Sequence, residues 1–246
     1  MRSRFVGVLA LTLFAGCASG VVHLENLGPD ALFDRGMKAL SARHWQDASE
    51  AFDRLVIQYP SYARVQEARY RLAEAYFGKK EYVTAANEFS RLSSDYPAGP
   101  WADDSRFRVC ESYERLSPAV QLDQQYTQAA IDHCQSLIAY YPNSEFAPKA
   151  KEVAGRLTEK LAQKLFLAGD FYFRRRAYDS SLIYFEQVLK SYPASNAAAQ
   201  SLLRMVEAYN SIGDVDEAKS AKERLLREFP GSAAAKQAAE ISLAKS

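Results

Sequence analysis

The 246-residue chain is poor in cysteine (three), histidine (three), proline (nine) and glycine (eleven), and each scarcity excludes something. His23, His44 and His133 lie far apart and none belongs to an HExxH arrangement. There is no CxxC pair and no glycine-rich loop to cradle a phosphate. His133 and Cys134 are adjacent, but neighbouring helical residues point in different directions, so they are not a ready base and nucleophile. No cofactor, metal site or catalytic constellation is implied. An excess of one charge is also missing, with 31 basic against 30 acidic residues, so no strong positive field draws the chain to nucleic acid. With helix breakers sparse and 48% of residues hydrophobic, the expectation is a folded, all-α protein without sheet.

Only one apolar run stands out, Phe5 to Phe14, and it is too short to span a bilayer. Arg2 and Arg4 precede it, and small residues and a cysteine follow, which is the layout of an export leader over residues 1–16. Leu13-Phe14-Ala15-Gly16-Cys17 resembles the bacterial lipoprotein signal, with Phe14 where leucine is commonest. That resemblance implies lipidation of Cys17, which becomes the new N-terminus. Several acyl chains hold a protein firmly at a membrane, at about 0.8 kcal/mol per buried methylene. Ala18 in place of an aspartate after the cysteine points to the outer membrane.

An aromatic-proline pair recurs at Tyr59-Pro60, Tyr96-Pro97, Tyr141-Pro142, Tyr192-Pro193 and Phe229-Pro230, spaced 37, 45, 51 and 37 residues apart. Leu72, Ala73, Tyr76, Ala85, Phe89 and Pro97 fit the tetratricopeptide pattern, and Gly169, Tyr172, Ser181, Phe185 and Pro193 repeat it. The other units are looser: Gly36, Ala48, Phe52 and Pro60; Cys110, Tyr113, Ala130, Cys134 and Pro142; Tyr209, Ala218 and Pro230. Five helix pairs in an α-solenoid follow. The 37-residue period exceeds the tetratricopeptide 34, and the surplus is assigned to a lengthened first helix in each unit. Extra residues around Ser117–Asp123 read as a loop, whereas those before the fourth unit continue the stripe of Val153, Leu157, Leu161 and Leu165 as one long helix. The expected organisation is leader 1–16, tether 17–28, a three-repeat block 29–142, and a block 143–246 with the long helix, two repeats and a cap.

Leader, five repeats and elongated helix together resemble the BamD family of outer-membrane assembly lipoproteins, over nearly the whole chain. The most specific stretch is Ser117-Pro118, Asp123-Gln124, Thr127, Ala130-Ile131 and Tyr141-Pro142-Asn143-Ser144. The resemblance implies a periplasmic, lipid-anchored subunit of the machine that inserts β-barrel proteins into the outer membrane. Its implied partners are unfolded barrel proteins and the periplasmic domains of the barrel-shaped core subunit. Another periplasmic tetratricopeptide lipoprotein, acting as a cell-envelope or cell-division adaptor, is the alternative. It would carry a coiled coil ahead of the repeats, for which Ala18–Pro29 is too short.

Three groups of residues are candidates for function. Phe33, Tyr70, Phe107 and Phe166 share one register of the repeat, and Leu40, Phe77 and Phe173 the next. They either line a groove for an extended apolar segment or pack between helices. Arg174-Arg175-Arg176 is either a set of solvated cations at a helix C-terminus or a socket for a partner's acidic residues. Cys110 and Cys134 both face the interior of the third unit. A disulfide needs α-carbons about 5.5 Å apart, and the two positions look staggered by a turn, so buried free thiols are expected. Trp45 and Trp101 read as packing between units.

Overall fold

The computed structural model describes residues 27–243, so the leader and Cys17 lie outside the described residues. Five antiparallel helix pairs stack in chain order: α1 (Pro29–Ser41) with α2 (Trp45–Gln58), α3 (Val65–Gly78) with α4 (Tyr82–Asp95), and α5 (Ala102–Leu116) with α6 (Gln125–Tyr140). Then come α7 (Ala147–Arg174) with α8 (Tyr178–Ser191), α9 (Asn196–Ile212) with α10 (Val215–Glu228), and a short closing helix α11 (Ala233–Glu240). This is the all-α solenoid that the spacing predicts, with no strand among the described residues. No helix among them is long and apolar enough to cross a membrane.

Units one, two and four are built around one kind of crossing. A small residue on the first helix lets the second helix approach until a buried ring lies on the backbone. A Cβ added at Gly36 would stand 2.7 Å from the Phe52 ring, and one at Gly169 would stand 2.6 Å from Phe185. Ala73 and Phe89 occupy the same two positions in the second unit, both fully buried. In the third unit those positions are Cys110 and Cys134. They form a disulfide with α-carbons 5.1 Å apart, which overturns the expectation of free thiols. The apparent stagger came from counting turns along each helix separately, although a loop between them was expected. The long connection 117–124 instead lets α6 sit at the height that brings the two cysteines level. Closing 24 residues of chain contributes about 3 kcal/mol on the chain-entropy account.

The turns are equally regular. At the proline corners the amide three residues after the aromatic donates to its carbonyl, as in Tyr62 to Tyr59, Gly99 to Tyr96, Ser144 to Tyr141, Ser195 to Tyr192 and Ser232 to Phe229. The surplus of the 37-residue period lies in these corners, not in the first helices. α1 and α3, at 13 and 14 residues, are no longer than their 14-residue partners. Between first and second helices the chain passes through the left-handed region at Arg43, Lys80, Arg176 and Gly213, with φ of 58°, 65°, 60° and 84°.

The 28-residue α7 is the joint of the stack. Val153, Leu157 and Leu161 belong to the core of the third unit, while Ala162 and Phe166 belong to the C-terminal core. Glu159 accepts from the amides of Asn196 and Ala197, placing a carboxylate on the N-terminus of α9 beside the Ser195 cap. On another face Lys160 donates to Ser117 Oγ at 2.7 Å and Lys164 to the Leu122 carbonyl at 2.6 Å. The two insertions therefore match. The added turns of α7 are met by the added loop of the third unit, which Gln124 ties internally by donating to the carbonyls of Ala119 and Leu122.

The crossing makes a direct prediction. Gly169→Ala forces the fully buried Phe185 ring to move, and denaturant unfolding should show a loss of about 1–3 kcal/mol. Gly155→Ala, at a site on the same helix with nothing within 4 Å, should be neutral or stabilising.

Candidate functional site

The first helices form the inside of the curve. α1 packs on α3, α5 on α7 and α7 on α9, whereas no second helix packs comparably on another among the described residues. Positions repeated on the first helices therefore recur along one inner face.

Arginine and glutamate form that face. Arg71, Arg108 and Arg204 are equivalent positions, each followed three residues later by Glu74, Glu111 and Glu207. Within a helix Arg71 meets Glu74 at 2.7 Å, Arg108 meets Glu111 at 2.7 Å and Arg204 meets Glu207 at 2.8 Å. Between helices Arg108 reaches Glu74 at 3.9 Å, and Arg204 reaches Asp170 at 3.1 Å. With Arg64–Glu67 at 3.0 Å and Glu67–Arg71 at 3.7 Å, a continuous ion ladder runs across α3 and α5. Arg156 on α7 carries the contact onward to Glu114 on α5. In the ladder from Arg64 to Glu111, three arginines alternate with three glutamates, so the track is polar but nearly neutral.

Beneath the ladder lie the aromatic positions. Phe33, Tyr70, Phe107 and Phe166 are only 1, 4, 7 and 8% exposed, so these four cannot line an open groove. Each rests against other rings of the interior: Phe33 on Phe52, Tyr70 on Trp101, Phe107 on Phe146 and Phe166 on Phe185. Their register points inward because the curve brings neighbouring first helices into contact, which the repeat spacing alone does not reveal. Leu40 also packs into the first core. Phe77 and Phe173 are half-buried but roofed by guanidinium groups, Arg108 at 4.7 Å from the Phe77 centroid and Arg204 at 4.9 Å from that of Phe173. What the inner face offers is arginine stacked on aromatic rings, with N–H groups aimed sideways at carboxylates. Such edges suit hydrogen bonding to an extended backbone or a carboxylate. The Arg-x-x-Glu repeat at 37-residue spacing was the available signal for this ladder; aromatic spacing drew attention away from it.

The arginine triplet divides into three separate settings. Arg174 pairs with Asp170 at 3.1 Å, joining the inner-face network. Arg175 lies 3.6 Å over Phe171, which is exposed, next to the stacked pair Tyr172 and Tyr184. Arg176 is the left-handed residue of the turn.

Tyr70, Asp104 and His133 are among the groups whose protonation is shifted. Tyr70 donates to Asp104 at 2.7 Å, and burial together with that bond pushes its hydroxyl above the ordinary range. Burial likewise raises the Asp104 carboxyl, against the pull of Tyr70 and Arg108. His133 stacks flat on Tyr113, centroids 5.0 Å apart, and burial lowers its pKa from 6.5. No group of three or more His, Cys, Asp or Glu positioned to hold a metal occurs among the described residues.

Fold and inner face thus define a class, a helical-repeat scaffold with a charged concave track. A family model for outer membrane lipoproteins, YfiO, matches residues 26–225, and the chain belongs to that family. Similar relatives are the outer membrane protein assembly factors BamD of Vibrio cholerae, 26% identical over 88% of this chain and 94% of that one, and of Rickettsia prowazekii, 26% identical over 92% and 90%. That of Caulobacter vibrioides is 25% identical over 91% and 75%. Among solved structures, a TPR repeats protein from Bacteroides fragilis superposes with a TM-score of 0.49 at 13% identity, covering 86% of this chain and 96% of that one.

Two outcomes are expected from these contacts. Arg108→Ala removes ion pairs on both sides and the cover of Phe77, and chemical unfolding should record a loss of about 1–2 kcal/mol, with Arg108→Lys recovering only part because it cannot form the planar fork. For His133 the folded pKa is depressed, so the unfolded chain binds the proton more readily below pH 6.5. Stability should fall as pH drops through that value, and His133→Phe, which keeps the stack on Tyr113, should flatten the dependence of melting temperature on pH there.

Proposed function

We propose that this chain is a non-catalytic, lipid-anchored subunit of a β-barrel assembly machine, held at the periplasmic face of the outer membrane through Cys17. The observation that carries this reading is the family match over residues 26–225, together with relatives named assembly factors that align along most of their length. The solenoid supports the non-catalytic part of the reading, since it offers a repeated surface for protein recognition. Unfolded barrel proteins are the substrates that the inner track suits. Their extended backbone is unpaired before insertion and can take hydrogen bonds from the arginine edges, while alternate apolar side chains reach the margins of Phe77 and Phe173. The core barrel subunit is the second partner, and the exposed pair Arg175–Phe171 with Tyr172 and Tyr184 is its proposed contact, an apolar platform with one cation for an acidic side chain.

Gentle detergent extraction of tagged full-length protein tests the reading. A large outer-membrane barrel protein with periplasmic domains should co-purify, and its absence would contradict the assignment. Arg175→Glu should reduce that recovery about tenfold without lowering the melting temperature. Unchanged recovery would remove this contact while leaving the assembly role standing.

A further inference from the structure

Cys110 and Cys134 stand where three other units place a small residue against a phenylalanine. The third unit thus lacks the phenylalanine that fills this crossing in units one, two and four, and a covalent bond takes its place. The same unit carries the loop on which α7 is latched through Lys160 and Lys164. That loop, residues 117–124, lies wholly within the segment closed by the disulfide.

From this juxtaposition we infer that oxidation of Cys110 and Cys134 is the step that rigidifies the joint between the first three repeats and the last two, so that the scaffold reaches its working shape only in an oxidising compartment. Each thiol gives up a proton and the pair gives up two electrons. The acceptor is a disulfide oxidant of the thiol-exchange class, whose own bond is reduced to two thiols through a mixed disulfide. Both cysteines are fully buried, so exchange precedes closure of α5 on α6 or requires their separation, and the finished bond is shielded from reductant.

Amide hydrogen exchange on the full-length protein tests this, comparing oxidised protein, protein reduced in denaturant and refolded with reductant, and two double variants. Reduced protein and Cys110→Ala/Cys134→Ala should exchange about tenfold faster or more at residues 117–124 and 156–164, with α1, α2 and α10 unchanged. Cys110→Ala/Cys134→Phe, which restores the pair found at Ala73 and Phe89, should recover protection without any dependence on redox state. Protection at the loop and α7 that is the same in reduced and oxidised protein would overturn the inference, as would a loss spread evenly over all five units. If the phenylalanine variant does not fold, the reduced wild type still decides. Alkylation of exported protein under denaturing, non-reducing conditions should label neither cysteine, and labelling of both would equally overturn it.

Discussion

One contact sets how the helices cross in units one, two and four, a side chain too small to keep two helices apart facing a ring large enough to fill the gap. Phe52 on Gly36, Phe89 at Ala73 and Phe185 on Gly169 fix how closely each pair crosses. Closely crossed pairs leave apolar surface at their edges that only the next pair covers, so the core is shared between units and not enclosed within them. Tyr70 illustrates this, touching Phe89 of its own pair and Trp101 of the following corner. In the fifth unit the ring position is Lys222, whose ammonium donates to the carbonyls of Ala239 and Ile241 and so closes the end of α11. The stack ends where the contact is replaced by a cap.

Curvature follows from the same constraint and creates the inner face. Because first helices meet one another, their aromatic residues are driven into the interior, and at the next position Arg108 and Arg204 reach carboxylates on the neighbouring helix while Arg71 pairs with Glu67 and Glu74 on its own. Half-buried guanidinium groups are stable there because each has a ring below and a carboxylate beside it. The ladder therefore contributes to holding the curve while presenting the polar edges that an extended chain would meet.

Much of the fold was legible because it depends on local signals. Proline corners, small residues and four-residue apolar spacing gave the helix pairs, the loop near Ser117 and the long α7. What escaped depended on relations between helices. The burial of Phe33, Tyr70, Phe107 and Phe166 is set by curvature, which no single repeat encodes. The Cys110–Cys134 bond was misjudged by counting turns along separate helices. The repeat already set Cys110 and Cys134 at the places of Gly36 and Phe52, two positions that touch, and that equivalence outweighs a turn count. The surplus of three residues per repeat went into the corners, since a helix lengthened by one turn would carry its small residue past the ring. The triplet Arg174–Arg176 looked like one cluster, but successive helical positions diverge, and the left-handed turn at Arg176 separates it further.

The central claim is that the inner face formed by the first helices, and not the outer helices, receives the extended partner. Site-specific photocrosslinking in intact cells tests it most directly. One probe would stand at Arg115, exposed on α5 about 6.0 Å from the Phe77 ring, and others at the exposed outer positions Ile57 on α2 and Ile183 on α8. The account predicts crosslinks from Arg115 to newly exported, unfolded barrel proteins and none above background from Ile57 or Ile183. Equal or stronger crosslinking from the outer positions would contradict it.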